Sequence, residues 1–140
     1  MIIDRLPQRA IDDCAICSVA AVLGYPYEQV QKDRTERYSQ FDGRTAWWEQ
    51  YLEDEGPACQ YRSLMTLEAM LGRGGEIVGL HVMQQHQLRA GHVVAIDELG
   101  YVDPSDGFSD HVPFEQYPLI QAGRGFVFER DFLAISNRNR

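Results

Sequence analysis

Asp13-Cys14-Ala15-Ile16-Cys17-Ser18-Val19-Ala20-Ala21-Val22-Leu23-Gly24 is the stretch on which the fold turns. Asp12 or Asp13 can cap a helix here, and Gly24 with Pro26 stops it after Leu23. Between these signals the body is apolar on nearly every face. Such a helix has no side fit for water, so it belongs at the centre of a domain. Its first turn carries the thiol of Cys14, at the end where unpaired N–H groups concentrate positive potential.

Upstream, residues 1–12 read as an extended lead-in, since Pro7 cannot continue a helix. Downstream, Pro26 suits the first turn of a polar helix running to about Tyr38. Thr45 can cap a third helix carrying Trp47, Trp48, Tyr51 and Leu52, ended by Gly56-Pro57, and residues 63–71 have the pattern of a short amphipathic helix. The grammar then changes. Glu76 to Met83 and His92 to Asp97 are short β-branched runs, Gly100 punctuates a hairpin into Tyr101 to Asp103, and Gly125 to Phe128 and Phe132 to Ile135 read as further strands. Helices followed by strands predict an α+β fold, a single domain over residues 1–140 with an N-terminal helical half packed on a C-terminal antiparallel sheet.

A chain of 140 residues is long enough to bury a real core. Its net charge of −8 argues against nucleic acid or an anionic membrane surface, which are usually met by a basic face. The basic stretches Arg34 to Arg44 and Arg138 to Arg140 read as solvated surface. There is no run of about 18 apolar residues to span a bilayer, and no secretory signal pattern at the N-terminus. Three cysteines without such a signal point to a reducing, cytoplasmic setting rather than a disulfide scaffold. Oligomeric state is not written in the sequence.

Cysteine attacks as thiolate, and an unperturbed thiol with a pKa of about 8.5 is only a few per cent ionised at neutral pH. A helix N-terminus and a neighbouring imidazolium both raise that fraction, whereas the carboxylates of Asp12 and Asp13 oppose it. His92 opens a strand and Asp103 lies eleven residues further on. A two-residue loop at Glu98-Leu99 pairs Val94 with Asp103 and leaves His92 diagonal to Asp103, roughly 7–8 Å away between backbones. A one-residue slip would put the two on opposite faces. With that register Asp103 orients the imidazole and favours its charged form. Gln8, through its side-chain amide, and Cys14, through its backbone N–H, can hold the oxyanion of a tetrahedral intermediate.

Gln8, Asp13-Cys14, Gly91-His92-Val93-Val94 and Val102-Asp103-Pro104 together resemble the papain-like cysteine peptidases, closest to the bacterial branch that cleaves double-glycine leader peptides. The resemblance runs through the chain in element order, and its specific content is these short stretches. It implies a papain-like fold and a peptide or protein substrate. By the same resemblance Cys14 is the nucleophile, His92 the general base and acid, Asp103 the orienting residue and Gln8 the oxyanion donor. No cofactor or metal is expected. Transglutaminase-like enzymes share this residue order, so acyl transfer or glutamine deamidation stays open.

Other readings of the same residues exist. A non-catalytic module on this fold that binds and inhibits a partner protein fits the small size and acidic surface. The Cys14-Ala15-Ile16-Cys17 spacing also matches redox and zinc motifs, but no buried strand precedes it and no second close pair completes a zinc site. Cys17 and Cys59 read as small core residues. His81, His86 and His111 read as surface or satisfied core, and the Trp47, Trp48, Tyr51 stripe as core.

Overall fold

Ten helical residues, Cys14–Leu23, form α1, and eight of them are buried: Cys14 and the run from Cys17 to Leu23. The all-round apolar body has the environment it requires, because α1 touches two further helices on one side and two strands on the other. Gly24 ends it in the left-handed region at φ 71°, returning its N–H to α1 carbonyls. The structure is a computed structural model that describes residues 2–10, 13–39, 47–55, 60–65, 77–85, 90–128 and 132–136. Asp12, Thr45, Gly56, Pro57, Cys59, His86 and the Arg138 to Arg140 tail lie outside the described residues, as do residues 40–44.

The remaining elements are α2 (Tyr27–Arg37), α3 (Trp47–Asp54), β1 (Gln60–Met65), β2 (Ile77–Gln85), β3 (Ala90–Asp97), β4 (Gly100–Val102), α4 (Tyr117–Gly123), β5 (Phe126–Phe128) and β6 (Phe132–Ser136). The fold is α+β. All strand pairs are antiparallel, in the order β1-β6-β2-β3-β4, and β5 pairs with the far end of β2. Ser63, Leu64 and Met65 are strand, not the helix that their local pattern predicts, and 66–71 are outside the described residues. The competing interaction is long-range: β1 pairs with β6, Met65 opposite Phe132 and Leu64 opposite Leu133. A nine-residue propensity is worth less than a ladder of backbone hydrogen bonds.

Alternation along β3 divides the core between the two faces of the sheet. Val93 and Ala95 join Val19, Val22, Leu52, Val78 and Leu80 beneath the helices. Val94 and Ile96 join Met83, Tyr101 and Tyr117 on the other face. That second face is covered by the chain after β4, through Phe108, Val112, Phe114 and α4. This helix stands among the strands in the chain, between β4 and β5. Among the described residues no helix is long and apolar enough to cross a membrane.

Two polar clasps tie the lead-in to the sheet. Asp97, fully buried, accepts Ile3 N–H at 2.9 Å, His111 Nε2 at 2.6 Å and Leu99 N–H at 2.8 Å. Arg5 donates to three consecutive carbonyls, Asp103 at 2.7 Å, Pro104 at 3.1 Å and Ser105 at 2.8 Å. His111 is therefore a satisfied structural histidine, and so is His81, which is buried against the Tyr101 hydroxyl at 3.2 Å.

Gly100 fixes the hairpin that carries Asp103. Its φ is +144°, and a Cβ there would lie 2.2 Å from the carbonyl oxygen of Val112. Val112 exchanges both backbone hydrogen bonds with Tyr101 at 2.9 Å, so it cannot retreat without opening that bridge. Gly100→Ala is expected to cost about 2 kcal/mol, from backbone strain plus overpacking. Urea unfolding of the variant against the wild type measures it.

Candidate active site

Cys14 is the first residue of α1, so its N–H has no partner within the helix. Of the two candidate caps, Asp12 lies outside the described residues and Asp13 makes no side-chain capping bond. Its buried carboxylate turns to the lead-in instead. There Oδ2 accepts Arg9 N–H at 3.0 Å, Ala10 N–H at 3.2 Å and the Tyr27 hydroxyl at 2.7 Å. Asp13 thus builds the turn between the lead-in and α1, and the positive end of the helix is left to the Cys14 position.

One turn further along α1, Ser18 donates to the carbonyl of Val93 at 2.8 Å. This bond pins the helix to β3 beside His92. The ladder pairs Asp97 with Gly100, Ile96 with Tyr101 and Ala95 with Val102, so the next position brings Asp103 beside Val94, the register read from the sequence. His92 is buried, and its Nε2 lies 2.9 Å from Asp103 Oδ1. That bond leaves Nδ1 as the other ring nitrogen, and Cys14, at the start of α1, is near enough to favour the charged imidazole. Cys14, His92 and Asp103 are thus brought into one neighbourhood. Phe126 packs its ring against His92, with centroids 5.9 Å apart.

Burial works against a charged imidazole, but the bonds to Asp103 and Cys14 outweigh it and push the His92 pKa up to about 9. Burial likewise works to raise the Asp103 carboxyl, and His92, Ser105 and Tyr117 overcome it, holding Asp103 down to about 2. At neutral pH the pair is imidazolium and carboxylate. Asp103 is fully buried and saturated with donors. Besides His92, Oδ1 accepts the N–H of Ser105 at 2.9 Å and the Ser105 hydroxyl. Oδ2 accepts the Tyr117 hydroxyl and Gln121 Nε2, the latter at 3.1 Å.

Gln8 is brought to the same neighbourhood by its main chain. Its N–H donates to the carbonyl of Pro104 at 2.7 Å, next to Asp103, while the preceding Pro7 carbonyl accepts the Cys17 thiol at 3.7 Å. The Gln8 side-chain amide donates to Ala10 at 2.7 Å, and that bond holds the amide within the turn leading to α1.

Cys17 is packing rather than a second reactive thiol. Burial, reinforced by Asp13 and Cys14, pushes its pKa up to about 12. Among the described residues no three His, Cys, Asp or Glu side chains group to hold a metal ion.

The sequence reading missed Arg5, Ser105, Tyr117 and Gln121. Asp103-Pro104-Ser105 carried the available hint for Ser105, because an aspartate two residues before a donor is a turn signal. Tyr117 and Gln121 are spaced one helical turn apart but announce nothing else.

The chain matches no family model, no curated protein and no solved structure.

Proposed function

We propose that this chain is a papain-like thiol hydrolase acting on a peptide or side-chain amide bond. The observation that supports this most is the buried His92–Asp103 contact at 2.9 Å, with α1, which carries Cys14, tied to β3 beside His92 by the Ser18–Val93 bond and Cys14 acting on the imidazole. The sequence resemblance to leader peptidases favours a peptide substrate.

In this mechanism Cys14 and His92 react as a thiolate–imidazolium pair, with the thiol proton residing on His92 Nδ1, and the sulfur attacks the substrate carbonyl carbon. The resulting oxyanion accepts hydrogen bonds from the Cys14 N–H and the Gln8 amide. As the intermediate collapses, the carbon–nitrogen bond breaks and the His92 imidazolium protonates the leaving amine. A thioester remains on Cys14. Neutral His92 then removes a proton from water, which attacks the thioester, and the carboxylic acid leaves as the thiol is restored. Asp103 stays ionised throughout and holds the ring in place.

A peptide library made by digesting a proteome tests the proposal. Incubated with the wild type, it is expected to gain new termini at a restricted set of sequences, read by mass spectrometry, and none with Cys14→Ser. A mass gain of about 1 Da at glutamine, without new termini, would replace hydrolysis with deamidation. A library that comes back unchanged, with Cys14 unmodified, would favour a binding module on this fold.

A further inference from the structure

The Asp103 carboxylate has two oxygens and only one can face His92. Which one it is depends on rotation about the bond to the carboxyl group, and the donors around it decide that rotation. Oδ1 meets His92 and Ser105, while among the described residues Oδ2 meets only α4. There Gln121 Nε2 donates both to Oδ2 and, at 2.7 Å, to the oxygen of Tyr117. A phenol has one hydrogen, and with its oxygen accepting from Gln121 that hydrogen is directed at Asp103. The three groups close a triangle on Oδ2. Tyr117 and Asp103 are fully buried and Gln121 is 1% exposed, so water does not compete for these bonds.

We propose that Tyr117 and Gln121 are positioning residues that fix the rotation of the Asp103 carboxylate and so hold the His92 imidazole toward Cys14. Their catalytic purpose rests on the hydrolase proposal, while their effect on His92 does not. The Tyr117 ring is itself immobilised, stacked on Tyr101 at 4.4 Å and 18°. At the start of α4, its N–H bonds to Pro113. A ring held this firmly transmits a fixed direction to its hydroxyl. Gln121 also keeps Oε1 buried with no partner among the described residues. A leucine would fill the same core position without leaving an acceptor unpaired, which suits a residue kept for its donor rather than for packing.

Two effects of removing the Tyr117 hydroxyl oppose one another. A carboxylate that loses a donor becomes more basic, which would raise His92. A carboxylate free to turn offers His92 a bent or longer bond, which would lower it. Hydrogen bonds weaken steeply with misalignment, and Ser105 on the other oxygen can draw the carboxylate round, so the second effect dominates. The groups facing His92 are Asp103, Cys14 and the uncharged Phe126 ring. Those facing Asp103 are His92, Ser105, Tyr117 and Gln121, with Arg5 on its carbonyl.

Titration of ¹⁵N-labelled histidines by NMR tests this in the full chain, with His92 assigned by the signals lost in His92→Gln. Tyr117→Phe and Gln121→Leu are each expected to lower the His92 titration midpoint by about one pH unit. Tyr101→Phe is the control: it removes a buried hydroxyl from the adjoining ring, but one that faces His81, and it is expected to leave His92 unmoved. An unchanged or raised His92 midpoint in the α4 variants overturns the positioning role. Should Tyr117→Phe fail to fold, Gln121→Leu carries the same decision. A wild type that transforms no peptide would sink the hydrolase proposal while leaving this titration intact.

Discussion

In His92→Ala, alkylation of Cys14 by iodoacetamide at pH 6 is expected to fall ten- to a hundredfold below the wild-type rate. A thiol with no cationic neighbour is only about 0.3% thiolate at that pH, from a pKa of about 8.5. A cationic neighbour stabilises the attacking sulfur anion by charge, although the lower basicity of a stabilised thiolate returns part of the gain through a Brønsted slope of about 0.4–0.5. The imidazole that supplies the effect has its pKa pushed up to about 9, so it stays charged across the range from pH 6 to 8. Peptide mass spectrometry separates the thiols, and Cys17, pushed up to about 12, serves as an internal control that stays unlabelled. Equal labelling of Cys14 in wild type and variant would mean that the imidazole does not activate the sulfur, and acyl transfer would lose its nucleophile. The expected drag from Asp13 is smaller than its position suggests, because two N–H groups and a hydroxyl engage its Oδ2.

The parts of the fold that were legible in the sequence are those decided by local rules. An apolar body between Asp13 and Gly24 has only one sensible location, and α1 occupies it. Gly100 at the end of a β-branched run fixes a two-residue turn, and that turn alone places Asp103 on the face of His92. The missed features are settled by distant partners. Residues 63–65 become strand because β6 lies alongside, some seventy residues later in the chain. The cover on the second sheet face arrives with α4, whose pattern over seven residues is too short to announce a helix among strands. Tyr117 and Gln121 matter only because that helix lands on Asp103. Asp13 reads as a cap by its position, yet the lead-in offers it better donors than its own helix does.

Asp103→Asn is expected to destabilise the protein by about 3–5 kcal/mol near pH 5, the usual cost of removing one partner from a buried ion pair. The loss should depend on pH in a way that identifies the pair. Asp103 is held at about 2, below its ordinary 3.8, so its share of the stability is complete above about pH 4 and disappears as the pH falls through 2. His92 is raised from 6.5 to about 9, so its share is complete below about 6.5 and disappears as the pH climbs through 9. Both groups are more than nine-tenths buried, and a displacement of this size is worth about 2–3 kcal/mol on each limb. The two limbs read one interaction from its two ends and are not added. The larger movement belongs to His92 because it draws on Cys14 as well as on Asp103. The difference in unfolding free energy between wild type and Asp103→Asn should therefore form a plateau from about pH 4 to 6.5 and shrink on either side. Urea titrations at a series of pH values measure it. A difference that is flat with pH would show that Asp103 contributes through its shape and neutral hydrogen bonds alone, and that His92 is not its ionic partner.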